Sequence, residues 1–196
     1  MPLALALIVL AAAWRIIAIY EPAFGNFSPL MALTFCGAVY FRNRWMWLIP
    51  FVALMATDLF LNRYYASNFD DKWLWQSELI RTLCFAAALP LGLMVARRKT
   101  VLNLLSGVLG ASLLFYLVTN TDAWLRDVHY LKTGAGWWQA MTLGRPEFPP
   151  TILFFRNTFL SDLLFTALFA VTMEYAALRA GRPSLLAKPV PAPVKR

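Results

Sequence analysis

Charge is what this sequence has least of. Lys, Arg, Asp and Glu make up 14% of its 196 residues, against about 25% in soluble domains. That shortage excludes an ordinary soluble fold. His129 is the sole histidine, and the two cysteines, Cys36 and Cys84, each lie inside an apolar run. No CxxC or Cys/His spacing is present, which argues against structural zinc and against a dithiol redox pair. HExxH and GxSxG are missing too, so the common zinc-peptidase and serine-hydrolase designs drop out. One loop histidine near a few acids does not make a triad, and the chain is not expected to be an enzyme.

Apolar residues fill the space. The chain is 60% hydrophobic and 15% aromatic, with a mean hydropathy of +0.59. A bilayer-crossing helix needs about 20 mostly apolar residues. Six stretches approach that length: 3–20, 27–42, 46–62, 76–97, 101–119 and 151–179. The second and third are short. Pro29, Pro50 and Pro90 are positioned to start or kink helices. The expectation is an all-α integral membrane protein, a bundle of six transmembrane helices over 1–180. A flexible, basic, Pro-rich tail over 181–196 follows. The first stretch has three alanines, Ala11 to Ala13, that resemble a cleavage site. No Lys or Arg precedes it, however, and its apolar pattern continues to Tyr20, so it reads as a span rather than a leader.

The net charge of +8 is not a nucleic-acid patch, because the bases sit in short clusters between apolar runs. Alternate segments hold ten bases (Arg42, Arg44, Arg97, Arg98, Lys99, Arg179, Arg182, Lys188, Lys195, Arg196) against five (Arg63, Lys72, Arg126, Lys132, Arg145). The positive-inside rule then puts both termini in the cytoplasm of a multi-pass protein of the bacterial cytoplasmic membrane.

Ionisable residues inside spans are costly and mark function by default. Arg15, Asp58, Glu78, Arg81 and Arg156 fall near the outer ends of their spans, roughly 3–8 Å below the boundary. Asp162 lies deeper, at about 16 Å. A charged layer in one leaflet predicts an outward-facing polar cavity over an apolar floor. The competing reading is a set of ion pairs that hold helices together, Asp58 with Arg81 or Arg15. Asn26 and Ser28 at the entry to the second span would border such a cavity. So would Asn120, Asp122 and Tyr130 in the long segment 120–150. That segment also carries Trp124, Trp137 and Trp138, which suit an interfacial aromatic belt or a binding loop.

Four stretches belong together: NFSPLMALTFCGAVYF (26–41), IPFVALMATDLFLN (49–62), LLFYLVTNTDAWL (113–125) and FFRNTFLSDLLFTALF (154–169). They resemble a family of small six-helix bacterial membrane proteins described as transporters, which is itself similar to the S-components of energy-coupling-factor (ECF) vitamin transporters. The resemblance implies uptake of a vitamin bound at the outer face. S-components that dock on a shared energising module often carry Ala-x-x-x-Ala on helix one. The alanines here, Ala4, Ala6, Ala11, Ala12, Ala13 and Ala18, never fall four apart. A solitary transporter, partnered by its vitamin and membrane lipid, is therefore favoured over one that needs the module.

The small cobalamin-specific group is similar in size and has a cysteine that contacts cobalt. The resemblance implies cobalamin as the transported ligand and Cys84 as the matching residue. A soft thiolate suits a transition metal, and Arg81 at i−3 would favour thiolate over thiol. Cys84 reads equally well as core filler, and Cys36 reads as core. Two alternatives remain: uptake of another vitamin or small organic ligand with Cys84 structural, or an accessory subunit of a membrane complex that uses the Gly107, Gly110 and Ala111 face.

Overall fold

Long apolar runs in a solvent that offers no hydrogen bonds must satisfy their backbone internally, and a helix does so residue by residue. The computed structural model describes residues 2–20, 24, 27–41, 43–69 and 75–186. Among these residues the structure is all helical. The helices are α1 (Pro2–Ile17), α2 (Leu30–Tyr40), α3 (Leu48–Phe69), α4 (Trp75–Arg97), α5 (Val101–Arg126), α6 (Gly134–Met141) and α7 (Thr151–Arg179). One-turn 3-10 helices follow α1 at Ala18–Tyr20 and precede α3 at Arg44–Trp47. Five helices, α1, α3, α4, α5 and α7, are long and apolar enough to cross a membrane. Their outward faces are apolar, with Val9, Val52, Leu83, Met94, Leu102 and Val171 all exposed. A continuous apolar exterior of this kind calls for lipid rather than water.

The second predicted span departs from expectation. Only 11 of its residues are helical, which gives a length of about 16 Å, roughly half the hydrocarbon thickness. It has no lipid face, since every residue from Met31 to Val39 is buried. The other helices enclose it: α4 packs against it most extensively, with α3, α5 and α7 around the rest. Close approach is achieved with glycine. A Cβ on Gly92 of α4 would lie 2.6 Å from the Phe35 carbonyl oxygen, and one on Gly107 of α5 would lie 2.7 Å from the Phe35 ring. Small residues at such contacts let membrane helices meet without a hydrophobic driving force.

A half-length helix leaves an open end inside the bundle. Its first N–H groups have no intrahelical partner, and its N-cap is Pro29, which makes no side-chain cap bond. Asp162 of α7 supplies the cap instead. Its Oδ1 accepts from the backbone N–H of Met31 at 3.1 Å and of Ala32 at 2.9 Å. Its Oδ2 accepts from the Ser112 hydroxyl of α5 at 2.6 Å. Asp162 is wholly buried and sits about 16 Å down α7 from Thr151. A carboxylate at the positive end of the helix dipole is favourable, and more so away from water. The extended entry to α2 is closed by Trp14 Nε1–H, which donates to the Phe27 carbonyl at 2.9 Å.

A second buried pair fixes α1. The Arg15 guanidinium forms an ion pair with Asp58 of α3. It also donates to the Thr57 hydroxyl at 2.6 Å and to the Leu54 carbonyl at 3.1 Å. Charge divides between the two ends of the bundle. One end, here the polar end, holds Arg15, Asp58, Asn62, Glu78, Arg81 and Asp122. The opposite, basic end holds Arg97, Arg98, Arg179 and Arg182. At the basic end the chain beyond α7 turns back: the Leu185 N–H donates to Glu174 at 2.8 Å and Leu186 packs on the core. The expected flexible tail is thus held through residue 186, and the rest of it, 187–196, lies outside the described residues.

Three outcomes are expected from thermal unfolding in mild detergent, followed by circular dichroism. Asp162→Ala leaves buried N–H donors unpaired, at about 1–3 kcal/mol each, and should lower the midpoint sharply. Asp162→Asn keeps an acceptor and should lose less. Asp58→Ala strands the buried Arg15 charge and should cost about 3–5 kcal/mol. An unchanged midpoint in Asp162→Ala would mean that the cap does not hold α2.

Candidate binding site at the polar end of the bundle

Two polar groups occupy this end. The first joins α1, α3 and α4. Arg81 pairs with Glu78 one turn above it on α4. Asn62 of α3 ties the two together: its Oδ1 accepts from Arg81 Nη2 at 2.9 Å, and its Nδ2 donates to Glu78 at 2.5 Å. Asn62 is also one turn from Asp58 on α3, so the Arg15–Asp58 pair and the Glu78–Arg81 pair lie within electrostatic reach of each other. Two acids balance two bases. Three buried atoms of the group, Arg15 Nε, Asp58 Oδ2 and Arg81 Nε, have no hydrogen-bond partner among the described residues.

The second group is a cleft of about 120 Å³ between α5 and α7. Ser112, Phe115, Tyr116, Thr119 and Asn120 line it from α5, and Thr151, Phe154, Phe155 and Thr158 from α7. The α5 residues recur at helical spacing and so share one face. Ser112, which donates to Asp162, forms the floor. The open α2 terminus and its carboxylate therefore lie directly beneath the cleft. Tyr116 and Phe155 meet along one side with ring centroids 4.5 Å apart. The Tyr116 hydroxyl donates to the Met141 carbonyl, the last residue of α6. The Asn120 side chain donates to the Tyr116 carbonyl at 2.8 Å. No charged side chain lines this cleft.

The predicted site residues separate accordingly. Arg15, Asp58 and Arg81 do come together, as a helix-pairing network, and none of them lines the cleft. Arg156 is apart from them, exposed on the second turn of α7 and bonded to its neighbour Asn157. Asn120 lines the cleft. Ser28 is buried just before α2, and its hydroxyl has no partner among the described residues. Asn26 lies outside the described residues. Asp122 is buried and structural: it pairs with Arg126 at 2.5 Å and accepts from Ser77 of α4 at 2.8 Å. Tyr130 is buried in the segment after α5. Cys84 is buried beside Phe85, whose ring stacks on cleft residue Phe115 at 5.7 Å, but Cys84 itself is not on the lining. The positive charge of Arg81 is matched by Glu78. Cys36 is fully buried in the core, with a weak contact to Thr166 at 3.7 Å.

The segment 120–150 is more ordered than a loop. α5 continues through Arg126, and α6 starts after Thr133, whose hydroxyl accepts from the Gly136 N–H at 3.2 Å. Lys132 closes the end of α5, donating to the Trp124 and Asp127 carbonyls at 2.5 Å each. Burial alone would raise the Asp127 carboxyl. The His129 N–H and ring bonds, with the Arg145 charge, outweigh burial and hold it below the usual carboxylate range. Sequence reasoning missed Ser112, Thr119 and Thr158 as lining residues. The signal was a run of small polar residues at helical spacing in otherwise apolar helices, which hydropathy alone averages away.

No curated protein and no solved structure matches this chain. Residues 1–185 match the model of a family of unknown function, DUF6580. The match takes in every helix described above, and the chain belongs to that family.

Proposed function

We propose that the protein is a transport protein of S-component type. It has six spans, with α2 as a half-length sixth, and cytoplasmic termini in a bacterial inner membrane. In this reading it binds a small, uncharged, ring-containing organic compound at its outer face. The observation that carries the proposal is the end of α2 at mid-membrane, directly under a polar cleft. Helices that break inside the bilayer leave polar backbone there, which is tolerated only in buried or cavity-lining positions, and transporters use such ends to build their sites. The lining supports the ligand class. Hydroxyls and an amide offer neutral hydrogen bonds, and Phe115, Phe154 and Phe155 offer ring faces. At about 120 Å³ the cleft suits a small ligand.

Cobalamin places other demands. A corrinoid needs a far larger space than this cleft, since even drug-sized ligands occupy pockets of about 300–1,000 Å³. It also needs a route to Cys84. The smaller ligand is therefore the reading we adopt, and one preparation distinguishes the two. Protein purified in detergent should release, on denaturation, an uncoloured ring compound detectable by mass spectrometry. Thr119→Val and Asn120→Leu should each weaken its rebinding by about tenfold, the ~1–3 kcal/mol cost of leaving a polar group unpaired. Arg179→Ala, at the basic end, should bind as wild type. A coloured corrinoid whose spectrum changes in Cys84→Ser would replace the small ligand with cobalamin. An empty protein that binds neither class would remove the transport reading.

Orientation is tested separately. In intact cells a cysteine placed at Lys132 should react with an impermeant thiol reagent, and one placed at Arg98 should not. The reverse pattern would put the cleft in the cytoplasm.

A further inference from the structure

The segment between α5 and α7 has a surface that the cleft does not explain. Its apolar side chains point away from the bundle: Val128 is 86% exposed, Leu131 72%, Leu143 67%, Trp138 63% and Phe148 58%. Its charged groups are engaged with one another and with the end of α5. Lys132 is spent on the carbonyls that end α5, Arg126 on Asp122, and Asp127 on His129 and Arg145. The neighbouring Trp137 turns inward, its Nε1–H donating to Thr121 of α5 at 3.1 Å. Trp138, one residue on, turns out. The exposed apolar set thus lies on an arm that is bonded to the bundle through Trp137, Met141 and Thr142.

We propose that this arm, residues 125–148, seats its apolar face in the outer leaflet of the bilayer beside the mouth of the cleft, with phospholipid as its partner. Continuity decides for lipid. At the α5 end the exposed arm residues extend the lipid-facing row Leu113, Leu117 and Leu125, and at the α7 end Phe148 leads into exposed Ile152 and Leu153. The arm therefore flanks the bundle where its membrane face begins and does not cover the bundle's centre. A short helix with an outward indole lies naturally in the headgroup region, its apolar face sunk about 5–10 Å. The arm is also mechanically joined to the cleft. Tyr116, a lining residue, holds the end of α6, and the Ile152 N–H of α7 donates to the Thr142 carbonyl at 3.0 Å. Lipid that holds the arm thereby holds the rim of the cleft. The proposal depends on the chain being in a membrane and not on the transport reading.

The test uses the full-length chain in phosphatidylcholine vesicles, with Cys36 and Cys84 replaced by alanine. Single cysteines replace Trp138, Leu143 or, as a polar comparison, His129, and each is labelled with an environment-sensitive fluorophore. Labels at 138 and 143 should lose most of their emission to lipids with a nitroxide high on the acyl chain, lose less to a nitroxide near the chain end, and resist aqueous iodide. The label at 129 should be quenched by iodide and spared by the lipids. Iodide access at 138 and 143 without lipid quenching would overturn the proposal. So would protection from both quenchers, which would mean that protein, such as a second copy, covers the arm. Trp138→Ser and Leu143→Ser double-variant protein, checked for an unchanged unfolding midpoint in detergent, should lose its added thermal stability in vesicles. Equal stabilisation by vesicles of wild type and double variant would also overturn it.

Discussion

The carboxylate of Asp162 on the first N–H groups of α2 is the contact on which the bundle depends. An 11-residue helix cannot reach both faces of a membrane, so one of its ends must fall inside. An end inside must be satisfied by protein, because lipid offers nothing. Pro29 rules out a local cap, and the partner comes instead from α7, 130 residues away in sequence. Ser112 joins the same carboxylate from α5. Three helices are thereby pinned at one buried point, and the others arrange themselves around the helix that is pinned. Phe35, held between Gly92 and Gly107, fixes the distance at which they do so.

Polar residues in this bundle divide by task. Charged ones at the polar end are spent on ion pairs and helix contacts. Arg15 with Asp58 joins α1 to α3. Arg81 and Glu78 pair along α4 and are tied to α3 by Asn62. Asp122 pairs with Arg126 along α5 and meets Ser77 of α4. Neutral ones line the cleft. The division has a physical reason. Opposite charges in a low-dielectric layer are safe only when paired, and pairing uses up their capacity to bind anything else. Hydroxyls and amides cost less to leave facing a space that a ligand fills. Ion pairing between helices was the competing reading of the charged layer, and Arg15 with Asp58 fits it, whereas Arg81 pairs with Glu78 on its own helix. The cleft lies elsewhere, between α5 and α7; of the residues expected around one cavity, Asn120 lines it and Arg156 does not.

How far the fold could be read from sequence follows the range of the forces involved. α4 and α7 begin and end within a residue of the apolar runs that predict them, because bilayer burial acts on each segment independently. α3 and α5 each extend seven residues past their runs, to Phe69 and Arg126. Their last turns are polar but still helical, since a helix does not need lipid once it has left the membrane and has partners. α2 fell short because its fate is set by enclosure, and a fully enclosed helix and a lipid-facing one are equally apolar. Asp162 was visible as a deep charge, but its partner was not. Backbone N–H groups have no sequence signature, and the open end of α2 appears only when the helix is seen to stop at Leu30. At Cys84 the sequence showed the neighbouring arginine, and the structure adds that Glu78 pairs with it.

The pairing of Asp162 with α2 also has a temporal side. A chain is made from its N-terminus, so α2 emerges early and α7 last among the helices. Until α7 arrives, the Met31 and Ala32 amides have no carboxylate to meet. The bundle closes when its final helix slides in, and the same step that completes the wall of the cleft also locks its floor. Until α7 is in place, the bundle has neither its buried cap nor its cleft.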